Sequence, residues 1–205
     1  MMMHVMKRFS GILILLVGVI FFVHADTNEL DRFATFIKNM KVVKIGFTQQ
    51  VHAYDGTIMS SGKGMMWYKP DRFFRIEYTV PEKETIITND NGYKIYNFED
   101  KEESGGRLED IVFVSPFTML RELRVYFTVH ETAKRMYRLE SKGDITGDIA
   151  SIMCEFAGNK KFPKVMTVYM KSGSMVKYMF QSMIEDVDQP GLFSFAQLKK
   201  AYGSK

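Results

Sequence analysis

The chain has 205 residues, a single cysteine, and 28 basic against 24 acidic side chains for a formal net charge of +4. The length suits one ordinary domain. Acids and bases are interspersed with no charge stripe, which excludes a nucleic-acid footprint, and one cysteine excludes a disulfide scaffold.

The N-terminus has a separate job. Lys7 and Arg8 form a basic start, Gly11 to Val23 is uncharged and apolar, and Val23-His24-Ala25 offers cleavage-site residues. Residues 1–25 read as a secretory signal peptide cut after Ala25, since the apolar run is shorter than the roughly 20 residues of a membrane span. Removal leaves a single domain over 26–205 with a net charge of about +2. An exported chain whose only cysteine is Cys154 must be held by its core. Asp26 stands where a bacterial lipoprotein would carry its acylated cysteine, so the expected product is soluble and periplasmic.

Asp26 to Met40 carries Leu30, Phe33, Ala34 and Ile37 at helical spacing and predicts an amphipathic helix. Val43, Ile45, Phe47 and Val51 predict a first strand, turned back at Asp55-Gly56. From Ser61 to Gly92 the chain reads as consecutive antiparallel strands. Alternation carries Phe74, Ile76 and Tyr78 to one face and Arg75, Glu77 and Thr79 to the other. Turns fall at Lys69-Pro70-Asp71 and Asn91-Gly92. The strands continue through Thr85–Thr88 and Tyr93–Phe98.

Asn97 to Asp110, polar and containing Gly105-Gly106, predicts a loop or hairpin tip. Ser115-Pro116 starts a short helix with Phe117, Met119, Leu120 and Leu123. Five strands follow, Val125–His130, Met136–Glu140, Ile149–Phe156, Val165–Lys171 and Met175–Met183, then Pro190-Gly191 and a possible helical tail. About ten strands and two or three helices joined by short turns predict an α+β fold, one antiparallel sheet curled over a helix layer.

The inventory for catalysis is thin. His52 and His130 lie in separate strands without neighbouring ligands at metal spacing, and Cys154 alternates with Ile152 and Phe156 as a core thiol would. Gly62-Lys63-Gly64 sits inside a strand and lacks the remainder of a phosphate loop. No enzyme, metal or cofactor is expected. Met65, Met66, Trp67 and Tyr68 instead put large soft groups on both faces of one strand, which suits either a doubly covered sheet or a concave face for irregular acyl chains.

Several of these segments together carry a family likeness: Phe47-x-Gln49, the glycine and aromatic run Gly62 to Tyr68, Lys69-Pro70, Phe74-Arg75-Ile76-Glu77-Tyr78, the Asn91-Gly92 hairpin and Ser115-Pro116-Phe117-x-x-Leu120. The pattern resembles the outer-membrane lipoprotein carrier family, LolA. The resemblance implies an incomplete, open β-barrel with helices across its mouth. It also implies a monomeric carrier that takes acylated lipoproteins from an ATP-driven inner-membrane release transporter to an outer-membrane acceptor. By the same resemblance Phe47, Trp67, Phe74, Ile76, Tyr78, Met119 and Leu120 line an acyl cavity, and Lys69 is a gate that ties the rim to carbonyls of the covering helices. Two departures stand out: one extra residue between Pro70 and Phe74, and Lys69 where arginine is usual. The alternative is a periplasmic lipid- or lipoprotein-sensing regulatory module of the same fold, which is expected to bring a further domain for which the chain leaves no room after its last strand.

Overall fold

Alternating burial organises the sheet from its first strand onward. The computed structural model describes residues 28–200 apart from 71–72, 109–115 and 159. The signal peptide, the Ser115 cap and the end of the Lys69-Pro70-Asp71 turn therefore lie outside the described residues. In β1 (Val42–His52), Val43, Ile45 and Phe47 point one way, with Val42 opposite. β2 (Ile58–Lys69), β3 (Phe73–Val80), β4 (Glu84–Asn89), β5 (Gly92–Asn97) and β6 (Glu103–Gly106) follow as successive antiparallel hairpins.

Beyond them come β7 (Phe127–Ala133), β8 (Met136–Ser141), β9 (Ile149–Glu155), β10 (Val165–Met170) and β11 (Met175–Asp186). β11 returns to pair with β1, so the eleven strands run β6-β5-β4-β3-β2-β1-β11-β10-β9-β8-β7 in one antiparallel sheet. Its ends, β6 and β7, do not pair, and the barrel stays open. The expected loop at 97–110 is corrected by β6: Glu103–Gly106 lacks alternation, yet its backbone pairs with Tyr93–Tyr96, whose edge would otherwise carry unsatisfied amides.

Three helices roof the concave face: α1 (Glu29–Asn39), α2 (Pro116–Arg121) and α3 (Leu123–Tyr126). Asn28 caps α1 by accepting from the Asp31 amide at 2.9 Å, and Glu29 and Asp31 complement the helix dipole. Its stripe of Leu30, Phe33 and Ile37 is fully buried, at about 2 kcal/mol per side chain, and Phe33 meets the Phe156 ring edge-on at 6.1 Å. Residues 125–126 belong to α3, so the strand expected from Val125 begins at Phe127. The segment after β11 crosses the convex face, where Phe193 and Leu198 cover Val42 and Ile87.

A polar pin fixes the start of α1. The buried Tyr137 hydroxyl of β8 donates to Glu29 at 2.8 Å, and Arg135 approaches the same carboxylate at 3.3 Å. The Tyr137 bond, with Arg32 and Arg135 adding charge, holds the Glu29 carboxyl below its ordinary range, while burial and Glu29 push the Tyr137 phenol up to about 12. The lowered pKa means that Glu29 stabilises the fold fully above about 4.5 and loses that contribution as pH falls through its folded pKa. Tyr137→Phe is expected to cost about 1 kcal/mol at neutral pH, with the gap from wild type narrowing below 4.5. Urea unfolding of both proteins on either side of that pH is the measurement.

Candidate functional site

The concave face is built by strand register. Phe74, Tyr68 and Val43 form one row across β3, β2 and β1, Ile76, Met66 and Ile45 the next, and Tyr78, Gly64 and Phe47 the third. Bare Gly64 lets the Phe47 and Tyr78 rings approach edge-to-face at 5.7 Å. A Cβ on Gly64 would fall against the Glu77 carbonyl oxygen, well inside contact distance. β11 extends the layer with Tyr178 and Phe180, whose rings stack 6.1 Å apart and 3° from parallel.

Helix α2 closes this layer from above. Phe117 reaches Tyr68 and Phe180, each at 5.9 Å between ring centres, and Met119 and Leu120 are buried beside it. Six residues are too few for a helix stable by itself, so α2 stays formed through these ring contacts. The result is an apolar interior covered on this side by one short helix.

Of the residues expected to line a cavity, Phe47, Phe74, Ile76, Tyr78, Met119 and Leu120 all join this one apolar cluster. Trp67 does not. One residue from Tyr68 along a period-2 strand, it projects to the convex face, packs near Val42 and Phe193, and donates from Nε1 to Asp186 at 3.1 Å with Lys44 5.2 Å over its ring. Met66, Tyr68, Phe117, Tyr178 and Phe180 belong to the concave set instead. The parity of Phe74, Ile76 and Tyr78 could have indicated the first two.

Lys69 shares the convex side. Its Nζ donates to Asp188 at 2.6 Å and lies 5.7 Å from the Phe73 ring, so among the described residues it holds the segment after β11 and not a helix carbonyl. Arg75 and Asn89 tie the same segment through the carbonyls of Leu192 and Phe193, and Trp67 ties the end of β11 through Asp186. For a half-exposed pair the expected effect is small: Lys69→Leu and Asp188→Asn should each lower stability by less than about 1 kcal/mol, and the double variant no further. A double-mutant cycle in urea checks it.

The imidazoles and the thiol named from the sequence lie on separate strands, His52 on β1, His130 on β7 and Cys154 on β9. Burial, with Glu155 adding, pushes the Cys154 thiol up to about 12. His52 contacts the Gly56 carbonyl in the β1–β2 turn, and His130 lies 3.7 Å from Glu140 on the exposed face. Tyr78 is raised by burial, then by Glu84, and its hydroxyl donates to Gln49 at 2.7 Å at the polar rim of the concave face. Among the described residues no group of three His, Cys, Asp or Glu is placed to hold a metal, and no helix is long and apolar enough to cross a membrane.

An unclosed antiparallel sheet, curved around an aromatic apolar interior and roofed by short helices, defines an open-barrel fold in which cover and interior are made of the same kind of contact. The family model for outer membrane lipoprotein carrier protein LolA matches residues 38–196, and the chain belongs to that family. It is 29% identical over 168 residues to an outer-membrane lipoprotein carrier protein from Shewanella amazonensis, covering 76% of this chain and 78% of that one. A second such carrier, from Francisella philomiragia subsp. philomiragia, is 25% identical over 183 residues, covering 86% and 88%. The crystal structure of a LolA superfamily protein from Nitrosomonas europaea superposes with a TM-score of 0.50 at 9% identity, covering 83% of this chain and 97% of that one, a likeness of fold.

Proposed function

We propose that the protein is a soluble periplasmic carrier that shields the acyl chains of lipoproteins and moves them from an inner-membrane release transporter to an outer-membrane acceptor. The observation that carries this reading is α2: a six-residue helix, held by Phe117 against Tyr68 and Phe180, covers an aromatic layer that acyl chains can occupy in its place. The names of the two carrier relatives support the cargo.

Magnitudes explain why the interior is kept closed. Three acyl tails expose about 45 methylenes, and at about 0.8 kcal/mol each their transfer to water costs on the order of 35 kcal/mol. Non-covalent affinity saturates near about 20 kcal/mol, so a carrier that must also release its cargo recovers only part of this and spends some of what it recovers on opening. Such a cycle needs neither cofactor nor covalent step, and one copy of the chain suffices for it.

The test is direct. Mature chain starting at Asp26, mixed with a purified triacylated lipoprotein as detergent is removed, should keep the lipoprotein soluble and co-elute with it at one to one. Adding outer-membrane vesicles should then discharge the complex. A lipoprotein that precipitates equally with and without the chain would sink the carrier reading. N-terminal sequencing of the exported protein should read Asp26 first; an uncleaved, membrane-bound chain would overturn the compartment.

A further inference from the structure

The turns of an antiparallel sheet fall alternately at its two ends, and here the two ends differ. One end collects, in order across the sheet, the turns 98–102, 81–83, 53–57, 171–174 and 142–148. Of the nine large apolar side chains that stand exposed among the described residues, six lie in these turns or within two residues of them: Tyr54, Ile58, Met59, Val80, Ile145 and Tyr169. Ile184 and Val187 lie at the other end, and Val125 is on α3. Single exposed apolar residues are ordinary, but six gathered at one end are not. Tyr54 and Met59, 82% and 68% exposed, stand largely clear of their own chain.

Three of these turns, 53–57, 171–174 and 142–148, are tied into one platform. Gly173 lies beneath Tyr54, where a Cβ would come within 3.3 Å of the Tyr54 Cβ. Lys171, of the same turn, donates from Nζ to Asp144 at 2.9 Å and from its amide to the Asp148 carbonyl at 2.7 Å. The β1–β2 tip satisfies its own backbone: the Gly56 amide donates to the Ala53 carbonyl at 3.0 Å, the Ala53 amide to the Thr57 carbonyl at 2.9 Å, and the Thr57 amide to the Asp55 carboxylate at 2.9 Å. Such a tip can leave bulk water without orphaning these amides. Hydroxyls stand between the apolar groups, on Thr57, Ser60, Ser61, Ser172 and Ser174, and Lys171 neutralises Asp144. The surplus of acid, Glu99, Asp100 and Glu102 against Lys101, sits on the outermost turn, away from the apolar tips.

This pattern of separate tips selects the occupant. A protein partner needs a contiguous, water-excluding core within about 800 Å² of surface on each side, and the hydroxyls interrupt any such core here. A fluid lipid interface closes around each tip individually, taking Tyr, Ile, Met and Val at its hydrocarbon margin and the hydroxyls among its headgroups. The charge on Asp55 keeps the insertion shallow, and the acidic outermost turn repels anionic headgroups. We propose that this end of the sheet rests on the surface of a zwitterionic lipid bilayer, with the β1–β2 tip inserted at headgroup depth. The polar rim of the concave face lies at the same end, where Tyr78 and Gln49 line a cleft of about 210 Å³ with Ser60 and Ser61, so the contact turns that rim toward lipid. It is a contact with the lipid surface itself and does not depend on what the interior carries.

The experiment floats the mature chain, starting at Asp26, with phosphatidylcholine vesicles that contain no lipoprotein. Tyr54→Ser, Ile58→Thr and Met59→Ser are combined in one variant, and Ile184→Thr with Val187→Ser, exposed at the other end, form the control. The wild type should float, the tip variant should lower the partition coefficient about tenfold or more, and the control should change it less than about twofold. A second readout needs no loss of apolar groups: Ser172→Cys, labelled with an environment-sensitive dye while buried Cys154 stays unreacted, should shift to shorter wavelength when vesicles are added. This readout decides the matter if the tip variant fails to fold. A wild-type chain that does not float, a control that loses as much as the tip variant, or a dye that keeps its aqueous emission overturns the proposal. So does flotation that requires phosphatidylglycerol and disappears at high salt, since charge would then hold the protein. A vesicle-free dimer that the tip variant converts to monomer overturns it too, because the apolar end would then be an interface between copies of the chain.

Discussion

Gly64→Val is expected to fail where Gly62→Ala succeeds. Both glycines lie in β2 within a pleated strand, and neither uses a left-handed backbone, so at each site the limit is the space around the added side chain. The β2–β3 register slips between Lys63 and Gly64, and the β3 backbone at Glu77 lies close over Gly64. A side chain there has to displace the Glu77 carbonyl, which is fixed within the sheet. At Gly62 the nearest neighbour is the Tyr78 ring at 3.1 Å, and a ring can tilt. Gly64→Val should therefore lose about 3 kcal/mol or more and accumulate poorly, and Gly62→Ala about 1 kcal/mol. The readout is the urea midpoint of each purified protein. Equal midpoints would show that the β2–β3 slip can relax at no cost.

The same slip illustrates how far the site could be read from residues alone. Helix α1 and the Phe74–Ile76–Tyr78 face were legible because their periods, 3.6 and 2, persist long enough to count. Trp67 is a lining residue on family likeness alone: one step from Tyr68 along the strand, it has to face the other way. Tyr178 and Phe180 carry an equally clear alternation, but their face is decided by pairing with β1, far away in the chain. That pairing itself changes step, since Gly46 pairs with Ser182 and Phe47 with Phe180. A bulge of this kind explains why Phe180 and Met183, of opposite parity, share one core. β6 was illegible for another reason, its strand character coming from the partner edge and not from Ser104, Gly105 or Gly106.

The roof differs from the sheet in what holds it, and Phe117→Ala is expected to expose that difference by lowering stability while raising affinity. Truncating a ring of 1% exposure that touches Tyr68 and Phe180 should cost about 3 kcal/mol in urea unfolding. Those contacts exist only while α2 lies over the concave layer. If about 1.4 kcal/mol of the loss falls on the closed state relative to the open one, the binding-competent population rises about tenfold, and a fluorescent long-chain fatty acid should bind about tenfold more tightly. Phe33→Ala is the control. It removes a ring of equal burial from α1, but α1 is also held by Tyr137 and Arg135 through Glu29 and by Arg124 through Asp31, so it should remain seated. That variant should lose comparable stability without gaining affinity. If Phe117→Ala binds the fatty acid no better than Phe33→Ala does, α2 is ordinary core, and the element that opens the interior must be sought elsewhere in the roof.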